Sequence, residues 1–384
     1  MGKMLKMKNI IIISGLNLES SNRGTAALGY GSVSFLKEKG FLKQGCPIGK
    51  IRVLNKKWSL RGLVKAECQN IQGVQYEMQT FYITFLEYVL ATKIGLVLPF
   101  GLLSRVLKNT SLIAAINGGD GFTDIYGRKK FQNCIIDCKY AVIKNIPLVI
   151  LPQTLGPFKE TNNYKWAKRI LRHAQNVFVR DDRFVGELQK MGVDYEITKD
   201  LSAYMKPEKF DIDIKENAVG INISGLAYSN KYRDLSGKFD SYPALIDDLI
   251  KHFQEKGCPV YLIPHSYNYD KPDYADDDLE VTQLVYDKLE NKSNIYFVKQ
   301  NLISPQIKYV ISKMTFFIGT RMHANFAAIY TKVPVFGLAY SYKFAGAFKA
   351  NGLSEDQTYR IDNLPSTDIK KVVAKVEELY SKSI

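Results

Sequence analysis

Short apolar runs rich in β-branched residues alternate along the chain with longer stretches whose apolar positions recur at helical spacing. In the first half the runs predict strands at residues 10–14, 51–54, 112–116, 148–151 and 177–179. Helical stretches at 25–39 and 182–191 lie between them, closed by Gly40 and Gly192, the residue type that most easily takes a left-handed C-terminal turn. The pattern lapses into polar sequence around Lys206-Pro207-Glu208-Lys209, which places a boundary near 205–216. A second series of strands follows at 218–223, 260–263, 295–298, 315–318 and 333–337. The tail 366–381 reads as an amphipathic helix, with Val372, Val373, Val376 and Leu379 on one face.

Strands alternating with helices predict parallel sheets covered on both faces. The expectation is an α/β protein of two doubly wound, Rossmann-like domains facing a cleft. They are an N-terminal domain over 1–206, a C-terminal domain over 207–365, and a final helix over 366–384 that packs back on the first domain. In such sheets ligands sit outside the carboxyl ends of the strands, so unusual residues there are the candidates for chemistry.

A length of 384 residues suits two domains, and 46% hydrophobic with 24% charged residues is ordinary for packed globular protein. The charge balance is not ordinary. Lys and Arg number 53 against 38 Asp and Glu, a formal net charge of +15. Such a surface either is simply solvated or favours phosphorylated ligands, nucleic acid or an anionic membrane face. Five scattered cysteines fit a reducing compartment, and Cys134 and Cys138 read as core thiols because no histidine stands near them to complete a metal site. The apolar run after the N-terminus is too short for a secretory signal. Residues 81–103 are greasy but broken by Glu87, Lys93 and Pro99, which predicts a buried or membrane-touching helix pair rather than a spanning helix. The localisation expected is cytoplasmic, with association at the inner face of the membrane.

The strongest chemical signal is Gly319-Thr320-Arg321-Met322-His323, where an apolar strand turns into a helix over 324–330. Backbone N–H groups at a helix start favour an anion, Arg321 adds a planar fork for carboxylate or phosphate, and His323 can move a proton near neutral pH. Read locally, the same residues are equally a surface arginine and a capping histidine. Lys343, in Tyr340-Ser341-Tyr342-Lys343, follows the next strand and offers a further cation. In the first half, Arg180 ends a strand. Gln153 lies in the rigid Pro152-Gln153-Thr154-Leu155-Gly156-Pro157 loop, and Gly118, Gly119 and Asp120 form a glycine-rich turn without nucleotide-motif spacing. Asn22 and Arg23 link the first strand to the first helix, and His265 ends a strand of the second series. The triplet Asp276-Asp277-Asp278 reads as helix capping rather than metal binding.

Taken together, Pro152-Gln153-Thr154-Leu155-Gly156-Pro157, Val179-Arg180-Asp181, Gly319-Thr320-Arg321-Met322-His323 and Tyr340-Ser341-Tyr342-Lys343 resemble the polysaccharide pyruvyl transferase family over nearly the whole chain. The resemblance implies a glycosyltransferase-B-like fold, phosphoenolpyruvate as donor, no metal or organic cofactor, and a cyclic pyruvate ketal on a cell-surface glycan as product. It implies that Arg321 and His323 are catalytic. It also implies that Arg180, Arg321, Met322, His323 and Lys343 hold phosphoenolpyruvate. The residues left to the acceptor or the cleft lining are Asn22, Arg23, Gly118, Gly119, Asp120, Gln153 and His265. Related sequences more often carry a small residue where Asp120 stands. Acceptors of this class are often carried on lipid pyrophosphates, which would give the positive surface an anionic membrane partner. Two rival readings stay open. One is a nucleotide-sugar glycosyltransferase of the same fold. The other is a non-catalytic polyanion binder, although the dispersed lysines argue against nucleic acid.

Overall fold

The computed structural model describes residues 9–54, 59–272, 275–340 and 343–384, with the side chains of Arg233, Lys343 and Ala345 outside the description. The chain divides into two compact units, one of Met1–Asn17 with Leu28–Tyr204, the other of Leu18–Ala27 with Met205–Ile384.

The first unit is built on an eight-stranded sheet. Its strands are β1 (Ile10–Ser14), β2 (Ile48–Val53), β3 (Leu63–Ile71), β4 (Val74–Ile83), β5 (Thr110–Ala115), β6 (Leu148–Gln153), β7 (Asn176–Val179) and β8 (Glu196–Ile197). They lie in the order β3-β4-β2-β1-β5-β6-β7-β8, and every pair is parallel except β3 with β4. The four isoleucines of β1 are all buried, as a central strand covered on both faces requires. The β3–β4 hairpin escaped the sequence pattern. Lys65, Glu67 and Gln75 interrupt its apolar alternation, and its register is set by a two-residue turn, Gln72-Gly73, with both residues at positive φ.

The second unit has a six-stranded, wholly parallel sheet. Its strands are β9 (Val219–Asn222), β10 (Val260–Leu262), β11 (Ile295–Phe297), β12 (Phe316–Gly319), β13 (Val335–Ala339) and β14 (Thr358–Arg360), in the order β11-β10-β9-β12-β13-β14. The strand order reverses between β1 and β5 in the first sheet and between β9 and β12 in the second. At each reversal the crossover helices diverge to opposite faces and leave a crevice at the strands' carboxyl ends. The sequences that follow those strands are Asn117-Gly118-Gly119-Asp120 after β5 and Thr320-Arg321-Met322-His323 after β12.

Two expectations need correcting. The tail helix Ile369–Ser381 packs within the second unit, where Val372, Val376 and Tyr380 are buried in the core that also holds Leu249 and Phe253 of helix Tyr242–Glu255. Its apolar face is therefore already covered without a return to the first domain. The greasy stretch 81–103 is not a buried helix pair. It runs from the end of β4 through the short helix Phe85–Val89 and a π turn at Leu90–Ile94 to helix Leu102–Asn109. Phe81, Ala91, Val97 and Leu102 are buried, while Phe85, Leu86, Ile94, Leu96 and Phe100 are exposed. Among the described residues no helix is long and apolar enough to cross a membrane.

Candidate functional site

In the second unit the crevice between β9 and β12 is organised around one carboxylate. Asp278 opens helix Asp278–Lys288 and is fully buried. It accepts from the backbone N–H of Gly225 (2.9 Å), His265 (3.1 Å) and Ser266 (2.9 Å), from Asn222 Nδ2 (3.2 Å), and from Arg321 Nε and Nη2 (3.0 and 2.7 Å). Arg321 Nη2 also reaches Asp276 Oδ1 at 2.6 Å, and the Tyr340 hydroxyl bonds the same guanidinium. Burial works against the guanidinium charge, but Asp278 and Asp276 outweigh it and hold the arginine protonated. The two carboxylates are not equivalent. Asp278 is wholly enclosed, whereas the Asp276 side chain is 28% exposed.

The turn after β12 is rigid. Arg321 N–H donates to Asn222 Oδ1 (2.8 Å), Thr320 Oγ1 pairs with the buried Tyr242 hydroxyl (2.7 Å), and Asn325 Nδ2 donates back to the Gly319 carbonyl (2.9 Å). Helix Met322–Tyr330 begins there with no side-chain cap, so its first amides keep the positive end of the dipole. His323 stands in its first turn, half-buried, edge-on to Phe326. Gly24 lies against it. A Cβ at that position would sit 2.6 Å from His323 Nδ1, so only glycine lets the backbone come this close to the ring. His265 is buried beside these groups. Burial first, then the charges of His323, Arg321 and Arg23, hold its imidazole well below the ordinary range, so it stays neutral.

Arg23 and Asn22, expected to face a ligand, have structural partners. Arg23 Nε donates to the Leu302 carbonyl (2.8 Å), Nη1 to the Ser20 carbonyl (2.8 Å) and Nη2 to Asn301 Oδ1 (2.9 Å), and its guanidinium lies 4.2 Å from the Tyr267 ring centroid. Asn22 Oδ1 accepts from the Gly24 N–H (2.9 Å) at the start of the first helix. Lys343 begins helix Lys343–Ala350 with its side chain outside the description, and Ser341 and Tyr342 lie outside the described residues.

In the first unit, Arg180 is the counterpart of Arg321. Its Nη1 bonds Asp200 (2.8 Å), its Nε bonds Thr154 Oγ1 (3.1 Å), and Asp181 stands 3.7 Å away. The Gly118-Gly119 turn, with φ of 65° and 85°, lies directly over it, and a Cβ on Gly119 would meet Arg180 Nη1 at 2.7 Å. Asp120 accepts from the Tyr126 hydroxyl at 2.7 Å. Gln153, expected to line the acceptor side, is fully buried. Its amide bridges Asn117 N–H (3.1 Å) and the carbonyls of Ala115 and Leu151, tying β5 to β6.

The same unit holds a feature the sequence did not suggest. A cavity of about 280 Å³ at the carboxyl end of β1 is lined by Gly15, Asn17, Lys50, Arg52 and Asp137. Burial pushes the Asp137 carboxyl up to about 6 despite a hydrogen bond with Ser14. Among the described residues no group of three or more His, Cys, Asp or Glu is placed to hold a metal ion. Cys138 is buried in the core and Cys134 half-buried, both as free thiols.

A sequence model of the polysaccharide pyruvyl transferase family matches residues 22–342, most of the chain. No curated protein sequence matches it. Among solved structures it is similar to UDP-GlcNAc 2-epimerase from Methanocaldococcus jannaschii, with a TM-score of 0.54 at 10% identity over 96% of this chain and 92% of that one. A putative UDP-N-acetylglucosamine 2-epimerase from Listeria monocytogenes gives 0.53 at 12% identity over 98% and 90%. At such identities the likeness shows the fold alone, and that fold is the expected one: Rossmann-like, doubly wound α/β units of the glycosyltransferase-B type.

Proposed function

This chain belongs to the polysaccharide pyruvyl transferase family, and from that premise we propose that it moves the enolpyruvyl unit of phosphoenolpyruvate onto two hydroxyls of a glycan sugar, closing a cyclic pyruvate ketal. The observation that carries the reading is the turn after β12, where Arg321 and His323 open helix Met322–Tyr330 at the crevice of the second sheet.

Phosphoenolpyruvate carries a carboxylate and a phosphate, and an uncapped helix start beside a charged arginine suits one such group. In the scheme, His323 in its protonated form gives a proton to the methylene carbon, and C2 becomes oxocarbenium-like. One sugar hydroxyl adds to C2 and loses its proton, and the C2–O bond to phosphorus breaks as inorganic phosphate leaves. The neighbouring hydroxyl then adds to C2, closes the ring and releases the second proton. The products are ketal and phosphate, and no redox partner is needed. A positioned acid supplies about 10²–10⁴-fold. Neutral His265 beside it keeps a second positive charge away from His323, which favours the protonated state that the acid needs. The cavity at the end of β1, with Lys50, Arg52 and Asp137, is the proposed acceptor side.

His323→Ala is expected to lose turnover by at least two orders of magnitude while phosphoenolpyruvate still binds, as measured by phosphate release and by calorimetry. A variant with unchanged turnover rules out His323 as the acid.

A further inference from the structure

Half of the exposed large apolar side chains among the described residues fall between positions 60 and 100. They are Leu60 (93% exposed), Leu63, Phe85, Leu86, Ile94 (70%), Leu96 and Phe100 (94%). The fold gathers the segments that carry them. Leu63 pairs with Tyr82 across the β3–β4 hairpin, and Gly62 lies against Leu102. Glu87 ties the Phe85–Val89 helix to Leu103 N–H at 2.8 Å, and Leu96 N–H bonds the Leu90 carbonyl at 3.1 Å. The result is one apolar knuckle at the edge of the first sheet.

Its electrostatic setting is one-signed. Within 59–66 and 84–109 the cations are Arg61, Lys65, Lys93, Arg105 and Lys108, all exposed. The only acid there is Glu87, which is buried and accepts from Thr84 and Leu103 as an internal cap. A soluble surface seldom groups phenylalanine, leucine and isoleucine at such exposure without a use. A protein partner of opposite charge needs acidic groups at fixed points. An anionic bilayer asks only for apolar side chains to enter the acyl boundary and for cations around them to meet the headgroups.

We propose that this knuckle docks the protein on an anionic phospholipid membrane, with Phe100, Ile94, Leu86 and Leu60 entering the interface and Arg61, Lys93, Arg105 and Lys108 facing the lipid phosphates. The docking stands on its own observations, whichever donor the catalytic crevice takes.

The test is co-sedimentation of the full chain with vesicles of phosphatidylcholine alone or mixed with phosphatidylglycerol, alongside sedimentation velocity without lipid. The wild type is expected to bind the anionic vesicles, more weakly at high salt. Phe100→Ser with Ile94→Ser is expected to bind roughly tenfold more weakly or worse. Lys93→Glu with Arg105→Glu is expected to lose several-fold or more. These side chains are exposed, so an unchanged melting temperature shows that the variants fold. Absence of wild-type binding to anionic vesicles, or equal binding by the serine variant, overturns the proposal. So does a wild-type dimer that the serine substitutions make monomeric, because the knuckle would then cover a second copy of the chain. Phosphoenolpyruvate binding measured on the same variants reports separately on the transferase reading.

Discussion

At the scale of single residues, the charge on Arg321 is fixed and its availability is not. Two carboxylates face one guanidinium, so the group as built is slightly acidic and would repel a polyanionic donor. Asp276 is the half-exposed partner and the one an incoming carboxylate can replace, whereas Asp278 is held by backbone amides on all sides. Asp276→Asn is therefore expected to lower KM for phosphoenolpyruvate several-fold in steady-state assays, and a raised KM contradicts the exchange. Asp278→Ala leaves a buried arginine short of its main partner and is expected to destabilise the fold by about 3–5 kcal/mol in denaturant titration. Asp137 carries a pH signature. Its folded carboxyl titrates at about 6 because burial disfavours the charged form, above the ordinary carboxylate range. The folded state thus holds a proton that the unfolded chain releases earlier, and stability falls as pH rises through that window. Asp137→Asn is expected to raise the melting temperature at pH 8 and to leave it nearly unchanged near pH 4. Equal shifts at both contradict the assignment.

At the scale of elements, the core strands were legible in the sequence because burial on both faces leaves them continuously apolar: β1, β6, β9 and β12 each begin within a residue of the expected position. The β3–β4 hairpin was not, since an edge hairpin with polar, exposed positions has no such run. The turn after β12 was legible as an anion-suited helix start. Its partners were not, because Asp278 lies 43 residues from Arg321 and the two meet only when β9 and β12 are neighbours. The aspartate triplet was read as capping, and Asp277 does cap, accepting from Leu279 and Glu280 N–H, while its neighbours hold the arginine. Gly24 shows the same limit. Nothing local marks it, yet Gly24→Ala is expected to push the His323 ring aside and to lower kcat by at least tenfold with little change in global stability, as read by paired kinetics and thermal melts.

At the scale of the whole molecule, the formal charge of +15 has three candidate uses: a phosphorylated donor, an anionic membrane and nucleic acid. Dispersed lysines without a stacking platform do not favour the last. The cations around the apolar knuckle favour the second, and the Arg321–His323 turn favours the first. The donor is the central claim, and it can be tested before any acceptor is known. Thermal denaturation of the full chain is followed with phosphoenolpyruvate and, separately, with uridine-diphosphate sugars. Binding to the folded state raises the melting temperature in proportion to occupancy. The expected result is stabilisation by phosphoenolpyruvate that weakens in Arg321→Ala. Stabilisation by a sugar nucleotide with indifference to phosphoenolpyruvate would contradict the account and make the chain a nucleotide-sugar enzyme.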